Sequence, residues 1–290
     1  MLRLGICASG NLGLETLEKL AKDSPCLFVL TDSKSTEIIE FTEKNKIPCF
    51  QGNPRIGNVT NFIKPFEIDV LVSINYLFLM EENLINHPKK LAINIHGSLL
   101  PKYRGRTPHV WAIINGEEFA GITVHKIELG CDTGAIIQQK KIKIEADDSG
   151  ATMLNKYAAE YYPMLSSCLA SIEKNTVEIT EQDHDKATFY GKRTPNDGEI
   201  NWNWHKVRIQ NWIRAQRDPY PGAFTFINDQ KLIIDEVALS DKGYTAAQKN
   251  GEVVISGDDM YVKCPNGLIK LIRIRNNVTL ENGVILKGIE

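Results

Sequence analysis

The sequence predicts an α/β protein: an open, mostly parallel, Rossmann-like sheet with helices on both faces, followed by a small mainly-β, OB-like domain. Three observations carry this. Apolar runs alternate with amphipathic segments over the first 180 residues, the pattern of βαβ units. "IDVLVSINY" and "LAINIHGS" are continuously apolar or β-branched rather than alternating, as strands buried on both faces are. Past residue 200 the pattern changes to short alternating runs broken by turn residues, which fits a small barrel or sandwich.

In chain order, "RLGICAS" is a strand that enters a glycine turn at Ser9, Gly10 and Asn11. "GLETLEKLAKD" follows with Leu14, Leu17 and Leu20 at helical spacing. "CLFVLTDS" is a second strand and "TEIIEFTEKNK" a second amphipathic helix. Ile47 begins a short strand leading to "CFQGNP", and "NVTNFIKPF" is a third, poorer helix. The two long apolar strands come next. The character of the chain changes between residues 180 and 200, which places a domain boundary at 185/186, giving domains 1–185 and 186–290. The second domain begins with a helix over about 205–216, carrying Val207, Ile209, Trp212 and Ile213. Five strand-like runs follow, with Asn266-Gly267 marking a hairpin turn between the last two.

Composition narrows the function classes. Of 290 residues, 42% are hydrophobic and 24% charged, and the formal net charge is −2. No global field therefore recruits nucleic acid or an anionic membrane. No apolar run approaches the roughly 20 residues a membrane span needs. The six cysteines form no CxxC pair, so neither a zinc knuckle nor a redox pair is expected. Reduced thiols, a cytoplasmic location and no metal are the expectation.

The chemistry concentrates in "NIHGSLLPKYRGRTP", residues 94–108. In open parallel sheets, ligands bind outside the carboxyl ends of the strands. "LAINIH" ends at His96, and alternate strand residues share a face, so Asn94 and His96 point the same way. An Asn amide can hold a developing oxyanion, and a His can move a proton near neutral pH. Read alone, the pair is equally compatible with a satisfied core Asn and His. Further on, "ELGCDTGAI" sets Asp132 between Gly130 and Gly134, which permit a tight loop beside a ligand. A carboxylate there would orient His96 and stabilise its protonated form, the part an Asp plays in catalytic triads. Alone, Asp132 is compatible with an ordinary turn residue.

Taken together and in this order, "NIHGSLLPKYRGRTPHVWAIINGE" and "ITVHKIELGCDTGAII" resemble the formyltransferase superfamily that uses N10-formyltetrahydrofolate. The resemblance covers residues 1 to about 175. It implies that Asn94, His96 and Asp132 are the catalytic trio. An amine would attack the formyl carbon, Asn94 and protonated His96 would hold the oxyanion, and His96, tuned by Asp132, would pass the proton toward the leaving folate nitrogen. It implies a pterin clasp made by the backbone of Phe78, Leu79 and Met80. Glu128, Leu129, Gly130 and Cys131 would form the opposing loop, with Arg106 approaching the folate site.

Three features bear on the acceptor. Arg106, and the run "GKRTPNDGEINWNWHKVRIQNWIRAQRDPYPGAF", resemble the nucleotide-sugar N-formyltransferases, including the transferase domain that acts on UDP-4-amino-arabinose. The segment after "VLTDS" lacks the extra basic loop of initiator-tRNA formylases. Residues 190–290 hold 14 Lys+Arg against 12 Asp+Glu, a weak footprint for tRNA. The resemblance thus implies a nucleotide-linked amino-deoxy sugar, with dTDP-4-amino-4,6-dideoxyglucose of surface-polysaccharide synthesis as the best guess, and a homodimer. Lys102, Tyr103, Arg193 and the turn Ser9, Gly10, Asn11 would bind the acceptor, the turn because backbone N–H groups at a helix start suit anions. Lys102 and Arg104 are otherwise a solvated rim. Trp202, Trp204 and Tyr220 either stack on a base or sugar or pack the second domain's core. Methionyl-tRNA formyltransferase, phosphoribosylglycinamide formyltransferase and a folate-binding sensor without catalysis are the alternatives.

Overall fold

The continuously apolar runs form the buried strands expected of them in the structure, a computed structural model that describes residues 1–276 and 278–289. In chain order these are β1 (Leu4–Ala8), α1 (Gly10–Asp23), β2 (Cys26–Thr31), α2 (Thr36–Lys44), β3 (Cys49–Gln51), α3 (Thr60–Ile63), β4 (Val70–Ile74), α4 (Glu82–Ile85) and β5 (Leu91–His96). There follow β6 (Arg104–Gly105), α5 (Pro108–Ile114), β7 (Phe119–Lys126), β8 (Ile136–Lys143), α6 (Gly150–Lys174) and β9 (Phe189–Tyr190). The sheet runs β3-β2-β1-β4-β5-β7-β8, parallel through β5, with β7 antiparallel to β5. Every residue of β1 and β4 is buried, which is why their sequence shows no alternation. Cys7, Phe28, Leu30, Ile63, Leu71 and Met80 share one core cluster, and Phe28 meets the Phe62 ring edge-on at 5.9 Å.

Two elements depart from expectation. "NVTNFIKPF" yields only the single turn α3, cut short by Pro65, whose missing N–H cannot continue a helix. The sequence reading passed over α6, the longest helix, which carries Pro163 in its interior. Its buried Met153, Tyr157, Tyr161, Met164, Leu165, Cys168 and Ile172 form a stripe at three- and four-residue spacing, so tertiary packing overrides the cost of the proline.

The later elements are α7 (Lys206–Ala215), β10 (Ala223–Ile227), β11 (Gln230–Ser240), β12 (Val253–Ser256), β13 (Asp259–Cys264) and β14 (Gly267–Ile274). They give an antiparallel sheet ordered β10-β11-β14-β13-β12. Asn266-Gly267 lies at the β13–β14 hairpin, as expected. Residues 284–287 hydrogen-bond to both sheet edges, through Phe226 on one side and Gly251 and Val253 on the other, and close the sheet on itself. On α7, Ile209, Trp212 and Ile213 are buried. Val207 is exposed, since at two residues from Ile209 it lies on the opposite side of the helix from the buried stripe.

By compactness the chain forms two units, one of residues 1–105, 120–142 and 155–190, the other of 106–119, 143–154 and 191–290. The second therefore draws α5 from the middle of the chain, where it packs against α7. Among the described residues no helix is long and apolar enough to cross a membrane.

Candidate active site

The site begins with strand register. In the antiparallel β5–β7 pair, Asn94 lies opposite His125 and His96 opposite Thr123. Opposed residues share a face, as do alternate ones, so Asn94, His96 and His125 project together. Asn94 Nδ2 lies 3.0 Å from His125 Nε2, and His125 Nδ1 lies 2.7 Å from the Lys126 carbonyl oxygen. A carbonyl can only accept, so Nδ1 carries the proton and Nε2 accepts from Asn94. Burial drives His125 down to about 4, with the His96 ring adding to the effect and Asp132 opposing it. His125 is thus a neutral acceptor that holds one hydrogen of the Asn94 amide. The amide's second hydrogen remains for a ligand.

The same reasoning fixes His96. Its Nε2 lies 2.8 Å from the Tyr103 carbonyl oxygen and donates to it, which leaves Nδ1 as the nitrogen that gains or loses a proton. Asp132 faces that nitrogen, with Oδ1 3.6 Å from His96 Nδ1 and 3.7 Å from His125 Nε2. These separations exceed a hydrogen bond, so the carboxylate acts on His96 through its charge rather than as a hydrogen-bonded triad member. Its Oδ2 accepts from Gly105 N at 2.8 Å and from the Cys131 thiol at 3.4 Å. Burial works to raise the Asp132 carboxyl. His96, the Gly105 N–H, His125 and the thiol together outweigh it and hold the carboxyl below the usual range.

Asp132 takes a left-handed backbone (φ 55°), unusual away from glycine. Gly134 lets the loop return to β8: a Cβ there would stand 2.0 Å from the Lys126 carbonyl oxygen. Gly105 (φ 98°) is likewise obligatory, since its Cβ would meet Tyr190 O at 2.3 Å.

The expected folate loops present apolar side chains to solvent. Leu77, Leu79 and Leu129 are exposed, and Phe78 is half-buried edge-on to Tyr76 at 5.5 Å. Met80 belongs to the core, so only its backbone is left to face a ligand. Glu128, Gly130 and Cys131 are exposed.

The acceptor candidates differ in exposure and in their internal partners. Ser9 is buried, and Gly10 N donates to Ser35 Oγ at 2.9 Å. Ser35 Oγ in turn donates to Asp32 at 2.6 Å. The turn's first N–H is spent internally in front of a carboxylate, which disfavours a diphosphate there; Asn11 is exposed. Tyr103 is buried and stacks on Tyr190 at 4.9 Å, and its carbonyl oxygen accepts from His96 Nε2. Lys102 and Arg106 are exposed, whereas Arg104 is buried and no part of a solvated rim.

In the second unit, Arg193 lies over the Trp111 and Trp212 rings, 5.0 and 4.4 Å from their centroids, and donates to Gln216 Oε1. It lines a pocket of about 100 Å³ with Thr107, Val110, Thr194 and Tyr220. Trp202 is core, donating to Thr225, and Trp204 packs on Trp212 at 4.9 Å.

Residues 14–169 match the Formyl transferase family, and residues 192–282 match its C-terminal domain, Formyl transferase, C-terminal domain. The chain belongs to the formyl transferase family. It is 32% identical to the bifunctional polymyxin resistance protein ArnA of Wigglesworthia glossinidia brevipalpis over 96% of its own length, but spans only 44% of that protein. Its fold is similar to that of WlaRD, a sugar 3N-formyl transferase solved in the presence of dTDP and 5-N-formyl-THF, at a TM-score of 0.72 and 19% identity, covering 96% of this chain and 99% of that one. It is similar to an N-formyltransferase from Helicobacter canadensis, solved with folinic acid and dTDP-3-aminofucose, at 0.72 and 20%, covering 94% and 100%. Sequence reasoning about this formyl transferase missed His125. The signal was its place in "ITVHK", but only register sets it opposite Asn94.

Proposed function

We propose that the chain transfers a formyl group from N10-formyltetrahydrofolate to the amine of a nucleotide-linked amino-deoxy sugar. The observation that carries this reading is the cluster in which Asn94 and Asp132, half-buried, meet the buried His125 and His96 beside the end of β5 in a formyl transferase. The folate-bearing structures of similar fold, and the exposed Leu77, Leu79 and Leu129, support a flat, apolar heterocycle as donor. Phe78, Leu79 and the Met80 backbone would hold it on one side and Glu128, Leu129, Gly130 and Cys131 on the other, with Arg106 at its edge.

The co-substrate supplies a formyl group activated on nitrogen. The free Asn94 hydrogen donates to the formyl oxygen as negative charge grows there. His96 Nδ1 would take the proton lost by the attacking amine and pass it to the folate nitrogen as the bond from that nitrogen to the formyl carbon breaks, and Asp132 offsets the positive charge held meanwhile on the ring. His125 keeps Asn94 from rotating away.

An amino sugar rather than tRNA is supported by the near-neutral charge of residues 190–290 and by the dTDP ligands of the similar structures. Asn11, Lys102 and Arg193 are the remaining acceptor candidates. dTDP-4-amino-4,6-dideoxyglucose is the acceptor to test first, beside its 3-amino isomers. A cytoplasmic homodimer serving surface-polysaccharide synthesis, with residues 1–185 carrying catalysis, completes the proposal. The test is tetrahydrofolate release from N10-formyltetrahydrofolate with a panel of nucleotide-linked amino sugars and with methionyl-tRNA. Turnover of the tRNA and of no sugar would overturn it.

A further inference from the structure

Residues 182–190, at the change in sequence character, lie against both loops of the site. Tyr103 N donates to Thr188 Oγ1 and Arg104 N to Thr188 O, both at 2.8 Å, and β6 pairs with β9 in parallel. Arg104, buried, sends Nε and Nη2 to Gln182 Oε1 at 3.2 and 2.6 Å. Nη2 also meets His184 Nδ1 at 3.0 Å. Gln182, also buried, donates from Nε2 to Asp132 O at 2.9 Å and to Gly134 O at 2.6 Å.

A carboxamide has two N–H donors and an oxygen with two lone pairs. Gln182 uses all four, so its orientation is fixed: nitrogen toward the Asp132 loop, oxygen toward Arg104. Gly105, which follows Arg104, donates to the Asp132 carboxylate. Asp132 is thus held from both ends, its main chain by Gln182 directly and its side chain by a residue that Gln182 secures through Arg104. We propose that Gln182 is a positioning residue for Asp132, setting the carboxylate 3.6 Å from His96 Nδ1. This rests on the proposed role of Asp132 in formyl transfer.

The experiment uses Gln182→Met and Gln182→Glu in the full chain. Met keeps the length and removes all four hydrogen bonds. Glu keeps the acceptor for Arg104 and sets an oxygen against two carbonyl oxygens. Displacing a catalytic group by about 1 Å can cost about 10²-fold, so kcat should fall by about that factor while KM for donor and acceptor stays put. The Gly105 amide should lose hydrogen-exchange protection while β5 and β7 keep theirs. A variant with kcat within about threefold of wild type, or one that loses kcat with Gly105 still protected, overturns the proposal. Loss of protection throughout β5 and β7 in both variants would assign Gln182 to global stability and overturn it equally. If the wild type formylates no amine, the functional reading fails, while Gly105 exchange still decides whether Gln182 positions Asp132.

Discussion

Replacing Asp132 by Asn tests the electrostatic core of the mechanism with little change of shape. The new amide oxygen can take over the bond from Gly105 N, so the loop retains its anchor. What disappears is one negative charge 3.6 Å from His96 Nδ1, in a site where both side chains are largely buried. At that separation and an effective dielectric constant near 20, the lost attraction for a proton on the ring is about 4 to 5 kcal/mol. If the whole of this is felt in the transition state, kcat falls by roughly 10³-fold. The assay is tetrahydrofolate release at saturating donor and amino sugar, beside equilibrium binding of a formyl-folate analogue. Binding should be unchanged, because the trio is proposed to act on the formyl group and not on the pterin. The loss should be nearly the same at low and high salt, since buried charges are poorly screened. A folded Asp132→Asn protein within about tenfold of wild-type kcat would refute charge stabilisation as its role.

Three further outcomes are expected. His125→Leu removes the acceptor for Asn94, and kcat should drop by about tenfold or more with unchanged donor affinity; steady-state kinetics checks this. Burial holds His125 and His109 down to about 4, so between pH 6.5 and 4 the unfolded chain binds protons that the folded chain does not. Thermal unfolding should therefore be flat above pH 7 and lose up to about 3 kcal/mol per histidine on acidification through that window, with His125→Leu blunting the loss. Finally, a chain ending at residue 185 should fail to fold stably, because α5 and residues 143–154 lose their partners in 191–290 and Tyr103 and Arg104 lose Thr188. A monomeric 1–185 fragment with a cooperative melt would contradict this.

Much of the protein was legible in one dimension. Strand and helix periods gave the parallel sheet, the later β-rich sheet and the Asn266-Gly267 hairpin, because burial on one or both faces writes a period into the sequence. The alternation rule set Asn94 and His96 on one face, and the glycines flanking Asp132 marked a tight loop. α6 escaped because Pro163 argues locally against a helix that its buried stripe sustains. Whether a polar group is a ligand contact or an internal partner was also not local information. Ser9 and Gly10 look like an anion site until Ser35 and Asp32 arrive from 25 and 22 residues away to fill it. Arg104 looks like a surface cation until Gln182 and His184 bury it. The sequence by itself determined which residue types the chemistry has at hand and which faces they share along a strand. Only the tertiary structure decided which nitrogen of each histidine carries the proton and that Asp132 acts by charge across 3.6 Å. A proton follows its nearest acceptor, and those acceptors, the carbonyls of Tyr103 and Lys126, are set by loop and register rather than by residue identity.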